Sequence, residues 1–312
     1  MEKHYIYNEG TVYSTYFHVV YESRKGKDHL EEIEEIMMKL GNSLSTFNPD
    51  STISKINQNL PVSVDPLFKK CFKKGMKVSR ITNGAFDMTI APLVNAWGFG
   101  FKNKETITQP LIERLLEKVG FQKVKLRWNH LIKQDPSVML DASAIAKGLA
   151  VDLVAKLLSS KGCRNYMVEI GGEIAARGVN RQNKIWRVGI SKPIDEQMPS
   201  NSDFQDIVTL SGKALATSGN YRNFYIEGDK KYSHTIDPKS GYPVQHSLLS
   251  ATVLANDCMT ADAYATAFLV LGAEKSMKII EKTRGLEGYF IFSDNEGDYK
   301  VTYSEGFEKY IS

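Results

Sequence analysis

A chain of 312 residues, 42% of them apolar and 24% charged, is long enough to bury one large core or two medium ones, and too evenly mixed to be fibrous or disordered. Its formal charge of +4 is small, and the Lys69-Lys70 and Lys73-Lys74 pairs share a helical segment with Leu67, Phe68, Phe72 and Met76, so they read as a solvated helix face and not as a nucleic-acid patch. Cys71, Cys163 and Cys258 are far apart among apolar neighbours, which excludes a disulfide framework or zinc site and predicts buried small residues. No stretch approaches the ~20 apolar residues of a membrane span. The N-terminus lacks an apolar signal core, so the chain as given is expected to be soluble, with any leader or lipid anchor already removed.

Thr11 to Glu22 alternates and is rich in Tyr, Val and Thr, which predicts a strand. Asp28 to Leu44 carries Leu30, Ile33, Ile36, Met37, Leu40 and Leu44 on one face and is an amphipathic helix. The turn-rich loop Ser45 to Ser51 follows. There Phe47 stands between polar residues, either as a platform for a flat ligand or as an aromatic covering a core edge. Asp65-Pro66, a cap before a first-turn proline, starts a second helix that runs to about Ile81 and ends at Asn83-Gly84. From Gly84 to Gly98 small residues let backbone approach a ligand, and Asp87 is an acid among apolar neighbours that needs a partner. A third helix is predicted over Leu111 to Val119, then strands at Val124 to Arg127 and Leu131 to Gln134.

Asp141 to Asp152 is the stretch around which the rest is organised. Val138-Met139-Leu140 reads as a short strand, Asp141 and Ser143 offer oxygens to a first helical turn, and Ile145, Leu149, Leu153, Leu157 and Leu158 keep a helical period. An acid beside a helix N-terminus suits a phosphate and its metal ion, although a plain capped turn has the same pattern. Beyond it the chain is mostly strand. Tyr166 to Ile170, Ile174 to Gly178, Trp186 to Ile190, Ile207 to Leu210, Ala214 to Ser218 and Phe224 to Ile226 form an antiparallel meander, with a bend at Gly171-Gly172 and a polar surface loop from Met198 to Asp206.

In Ser233 to Pro243, His234 and Asp237 lie three apart before a proline-glycine turn. His234 is either a general base or phosphate donor, or a strand-end residue beside a turn that Asp237-Pro238 builds. Strand Ser250 to Ala255 leads into a helix over Asp257 to Leu271. Asp262 and Thr266, four apart, share one face of it and offer oxygens of the kind Mg²⁺ takes, unless the hydroxyl only bonds back along the helix. A further helix to about Thr283 and a hairpin of Tyr289 to Ser293 with Tyr299 to Tyr303 close the chain. Neither the glycine-lysine phosphate loop nor the Rossmann glycine triad is present.

Taken in order, Leu44-Ser-Thr-Phe47, Gly84-Ala-Phe-Asp87 with Pro92 to Gly100, Asp141 to Asp152, Glu169-Ile-Gly-Gly-Glu173, Ala216-Thr-Ser-Gly219, His234-Thr-Ile-Asp-Pro238 and Thr260-Ala-Asp262 with Thr266 resemble the FAD:protein FMN transferases, the ApbE family. The likeness runs from Gly10 to Gly272. It departs at Glu9, where many members carry Met before Gly-Thr. The resemblance implies an α+β fold in which one domain, residues 1–312, has two interleaved subdomains with FAD in the cleft between them. It implies transfer of FMN from FAD to a Ser or Thr hydroxyl of a target protein through a phosphoester bond, dependent on Mg²⁺, with AMP leaving.

Carried over position by position, Phe47, Ala85, Phe86, Asp87, Asp141, Lys147 and Ile236 match FAD contacts. Ala144 would give a carbonyl, and Asp262 and Thr266 side-chain oxygens, to Mg²⁺. His234 is the first candidate for the base that takes the hydroxyl proton, with Asp262 mainly a metal ligand. The implied partner is an acceptor protein of a redox complex carrying a Ser/Thr flavinylation motif, with no nucleic acid, and the membrane enters only through a removed anchor. No stretch of this chain matches the acceptor motif. The implied location is the bacterial cell envelope, on the periplasmic side of the inner membrane. Two other functions fit the same residues, a Mg²⁺-dependent FAD pyrophosphatase giving FMN and AMP and a non-catalytic flavin-binding protein; the Asp262/Thr266 pair argues against the second.

Overall fold

The computed structural model describes residues 4–193, 204–220, 224–227, 230–294 and 298–312. Most of the polar loop expected from Met198 to Asp206 therefore lies outside the described residues. The chain opens with β1 (His4–Val12) and β2 (Thr15–Ser23), followed by α1 (Leu30–Leu44), α2 (Thr52–Asn57), α3 (Pro66–Ile81), α4 (Ala91–Ala96) and α5 (Gln109–Leu116). A small hairpin of β3 (Val124–Arg127) and β4 (His130–Lys133) precedes α6 (Ser143–Ser160). Then come β5 (Tyr166–Ile170), β6 (Glu173–Arg177), β7 (Trp186–Ser191), β8 (Phe204–Leu210), β9 (Lys213–Gly219), β10 (Phe224–Glu227), β11 (Lys230–Ser233) and β12 (Leu248–Ala255). Helices α7 (Cys258–Leu271) and α8 (Ala273–Ile280), strands β13 (Glu287–Ser293) and β14 (Tyr299–Tyr303) and the short α9 (Glu305–Glu308) complete it.

Eight strands form one sheet in the order β1-β2-β5-β6-β9-β12-β13-β14, antiparallel at every pairing. Side chains alternate across a strand, so each strand feeds two cores. Val19, Val168, Ala175, Ala216, Val253 and Phe290 face the large core built with α1, α3, α6 and α7. Ile174, Leu215, Leu254, Tyr289 and Ile291 face a second core, closed by the β7–β8 hairpin through Trp186, Val188 and Val208 and by Phe307 of α9. A third, smaller cluster joins Leu93, Ala96 and Trp97 to Ile112, Leu115 and Ile236. The α+β class read from the sequence holds, and the three cysteines are buried and free. No helix among the described residues is long and apolar enough to cross a membrane.

Three local expectations change. The strands expected to form one antiparallel meander divide, with β5, β6 and β9 in the large sheet while β7 pairs with β8 and β10 with β11 in separate two-stranded sheets. The strand expected over Thr11 to Glu22 is split by a turn at Tyr13-Ser14, with φ of 52° and 59°, and pairs Val12 with Thr15. Positive φ at both central residues is the hairpin geometry usually signalled by Asn-Gly. Tyr-Ser hides it. Val138 to Leu140 is extended but joins no strand: the Asn57 side chain accepts from the Leu140 N–H at 2.7 Å and donates to its carbonyl at 2.9 Å, replacing a neighbouring strand.

Candidate active site

Helix α6 begins where four segments meet. Asp141 donates its N–H to the carbonyl of Met88 (2.7 Å) and accepts the Ser143 N–H on its carboxylate (2.6 Å). Asp141 thus caps the helix from one residue further out than expected, and the Ser143 side chain makes no cap bond. Beside it lies a cavity of about 350 Å³ lined by the Tyr13-Ser14 turn, Leu40 and Leu44 of α1, Phe47, and Asp141 and Lys147. The loop bearing Phe47 is pinned from below: the Ser51 hydroxyl caps α2 by accepting from Ser54 N–H and donates to the Ser45 carbonyl (2.6 Å). Phe47 itself is 75% exposed, so it lines the cavity mouth and supports no core edge.

Helix α6 also packs closely against α7. Gly148 makes it possible, since a Cβ there would sit 2.4 Å from the Cys258 carbonyl oxygen and 2.8 Å from the Asp262 Cβ. Two carboxylates cross this contact in opposite directions. Asp152 of α6 accepts the Cys258 and Met259 N–H groups (2.7 and 3.0 Å), capping α7, while Oδ2 of Asp262 on α7 accepts the Gly148 N–H (2.9 Å). Burial pushes the Asp152 carboxyl up to about 6 against the pull of those two amides. In a regular helix the Gly148 N–H serves the Ala144 carbonyl, an oxygen whose second lone pair is still available. Thr266, one turn beyond Asp262, has its hydroxyl 3.1 Å from that of Ser218 on β9.

Lys147 completes the group. Its Nζ is 3.1 Å from Oε1 of Glu173, a residue only 4% exposed at the start of β6. The Gly171-Gly172 turn, with φ of 62° and 96°, puts Glu173 there by the tight hairpin geometry that favours glycine. Burial works against the Lys147 ammonium, but the charges of Glu173 and Asp262 outweigh it and hold its pKa above the usual lysine range. Burial raises both carboxyls, and Lys147 partly offsets this. Glu173 and the Tyr13-Ser14 turn were not predicted as site residues; the paired glycines before Glu173 were the available signal.

The other predicted residues are not among those that line this cavity. Ala85, Phe86 and Asp87 are buried. Asp87 finds its partners locally, accepting from Thr89 N–H and hydroxyl on Oδ1 and from Phe121 N–H (2.7 Å) on Oδ2. The loop it organises delivers the Met88 carbonyl to Asp141. Ile236 is buried in the third cluster, opposite Pro243, and Asp237 shapes its turn by accepting the Lys239 N–H. His234 stands edge-on to Phe99, ring centroids 6.3 Å apart, and Trp97 donates its indole N–H to the Gly241 carbonyl (2.8 Å), tying the two loops together. Glu9 lies on β1 opposite His18, its carboxylate 3.8 Å from that ring.

The donor set suits a hard cation. Carboxylate, hydroxyl and main-chain carbonyl oxygens are what Mg²⁺ accepts, and Asp262 and Glu173 bring two buried carboxyl groups to one ammonium. Among the described residues no three His, Cys, Asp or Glu side chains gather into a cluster of the transition-metal kind.

The ApbE family profile matches residues 10–290. The chain belongs to the ApbE family. A relative from Haemophilus influenzae, named FAD:protein FMN transferase, is 38% identical over 96% of this chain and 90% of its own length. One of the same name from Escherichia coli K12 is 32% identical over 97% and 88%. Among solved structures, the flavin transferase ApbE from Vibrio cholerae superposes with a TM-score of 0.88 at 33% identity, covering 99% of both chains. The apo flavinyl transferase ApbE of Pseudomonas stutzeri gives 0.88 at 31% identity, covering 99% of this chain and 98% of its own.

Proposed function

We propose that this ApbE-family chain transfers FMN from FAD to a Ser or Thr hydroxyl of an acceptor protein. The observation that carries the reading is Lys147, which lines the cavity with Phe47 and Asp141 and is paired with buried Glu173, next to the Gly148–Asp262 bond of the α6–α7 contact. In the transfer the acceptor oxygen bonds to the FMN phosphorus, the bond from that phosphorus to the AMP oxygen breaks, and the hydroxyl proton leaves to a base. Lys147 holds the pyrophosphate by charge, and Phe47 stacks on a ring of the dinucleotide. His234 takes the proton. The Ala85–Asp87 loop and Ile236 shape the walls of a cleft between two subdomains. Asp262, Thr266 and the Ala144 carbonyl would hold Mg²⁺, which when bound neutralises charge on the pyrophosphate. A redox protein of the cell envelope is the acceptor this reading favours, with the chain working on the periplasmic side.

The test is incubation with FAD, Mg²⁺ and a candidate acceptor domain, followed by in-gel flavin fluorescence and chromatography of the nucleotides. A fluorescent acceptor with AMP is the expected result. Free FMN with AMP and dark acceptors throughout would establish a pyrophosphatase instead, and unconsumed FAD a binding protein. H234A is expected to lose transfer while keeping FAD affinity; full transfer by H234A would remove His234 from the base role.

A further inference from the structure

Glu173 is not accounted for by the roles above. Its side chain is buried, Oε1 meets Lys147 at 3.1 Å, and Oε2 has no hydrogen-bond partner. Among the described residues it is the only buried carboxylate oxygen left in that state. A carboxylate placed there simply to neutralise Lys147 would leave Oε2 buried without a hydrogen-bond donor, which is unfavourable for a polar atom. The charge of Asp262 also favours that ammonium, so Lys147 has a second counter-charge besides Glu173.

We infer that Glu173 is a positioning residue of the cation site, holding Lys147 with Oε1 and taking a hydrogen bond from the cation's bound water with Oε2. The inference rests on the Mg²⁺ assignment made above. A small divalent ion surrenders its waters reluctantly, and each retained water needs an acceptor. Outer partners of this kind typically change metal affinity by about 10–100-fold when lost. The β5–β6 turn serves this placement, since Gly171 and Gly172 take the positive φ values that start β6 with Glu173 on the helix side of the sheet.

The experiment is direct Mg²⁺ binding by calorimetry on the FAD-loaded protein, with wild type, D262A, E173Q, K147M and K147M/E173Q, each checked for cooperative unfolding. E173Q is expected to weaken Mg²⁺ at least about tenfold, and K147M/E173Q to bind it more weakly than K147M by a similar factor. If the double variant binds Mg²⁺ as tightly as K147M, Glu173 serves Lys147 alone and the inference is overturned. That comparison still decides the matter if E173Q by itself does not fold, because the double variant removes both halves of the Lys147–Glu173 pair. Mg²⁺ affinity in D262A equal to wild type would instead overturn the cation site on which the inference rests, which separates the two failures.

Discussion

Single residues at this site do work that their local sequence does not reveal. Phe47 is exposed and contributes little to the core, so replacing it should leave stability within about 0.5 kcal/mol. As a stacking platform it should contribute about 0.5–1.5 kcal/mol to binding. F47A is therefore expected to weaken FAD by no more than about tenfold with an unchanged urea midpoint, read by quenching of flavin fluorescence. An unchanged FAD affinity would take Phe47 out of the site. Asp87 is an acid among apolar neighbours that needs a partner, and its carboxylate finds one in Thr89 and in Phe121. Its present function is to fix the loop that meets Asp141.

At the level of elements, α6 and α7 carry Lys147, Asp262 and Thr266, and their spacing is set by Gly148. G148A would drive a methyl into main-chain atoms of α7, which cannot rotate aside as a side chain would. A loss of about 1–3 kcal/mol in urea denaturation is expected, together with loss of Mg²⁺-dependent transfer. Asp152, on the same contact, makes a pH prediction. Its carboxyl is pushed up to about 6 in the fold from 3.8, so in that window the folded chain holds a proton that the unfolded chain has lost. The contribution of this group to stability therefore falls as pH rises from about 4 to about 6 and is level above. D152N, neutral throughout, should gain stability relative to wild type across that interval. Denaturation midpoints of the two proteins that stay parallel from about pH 4 to about pH 7 would refute the assignment.

For the whole molecule, the eight-stranded sheet is clamped between helices on one face and the β7–β8 hairpin with α9 on the other, while the cavity sits where α1, α6 and the first hairpin meet. FAD and Mg²⁺ would bind the assembled site and not the unfolded chain. At about 100 times its dissociation constant a ligand adds roughly 2.7 kcal/mol, so thermal unfolding should shift upward with FAD and further with Mg²⁺. The Mg²⁺ increment is expected to vanish in D262A while the FAD increment persists. An undiminished Mg²⁺ shift in D262A would place the cation elsewhere.

The sequence alone determined the long elements and the ordered set of motifs. The apolar period of α1 and α3, the alternation of β2 and the Asp-Pro start of α3 are local properties, each set by side chains a few residues apart. The motif series was legible for the same reason. Tertiary structure decided what depends on the path of the chain. The Gly148–Asp262 bond spans 114 positions, Lys147 meets Glu173 through a strand turn, and Asn57 stands in for a strand beside Leu140. Such pairings follow from how sheet and helices stack, and the burial that makes their charges matter exists only once the stack has formed.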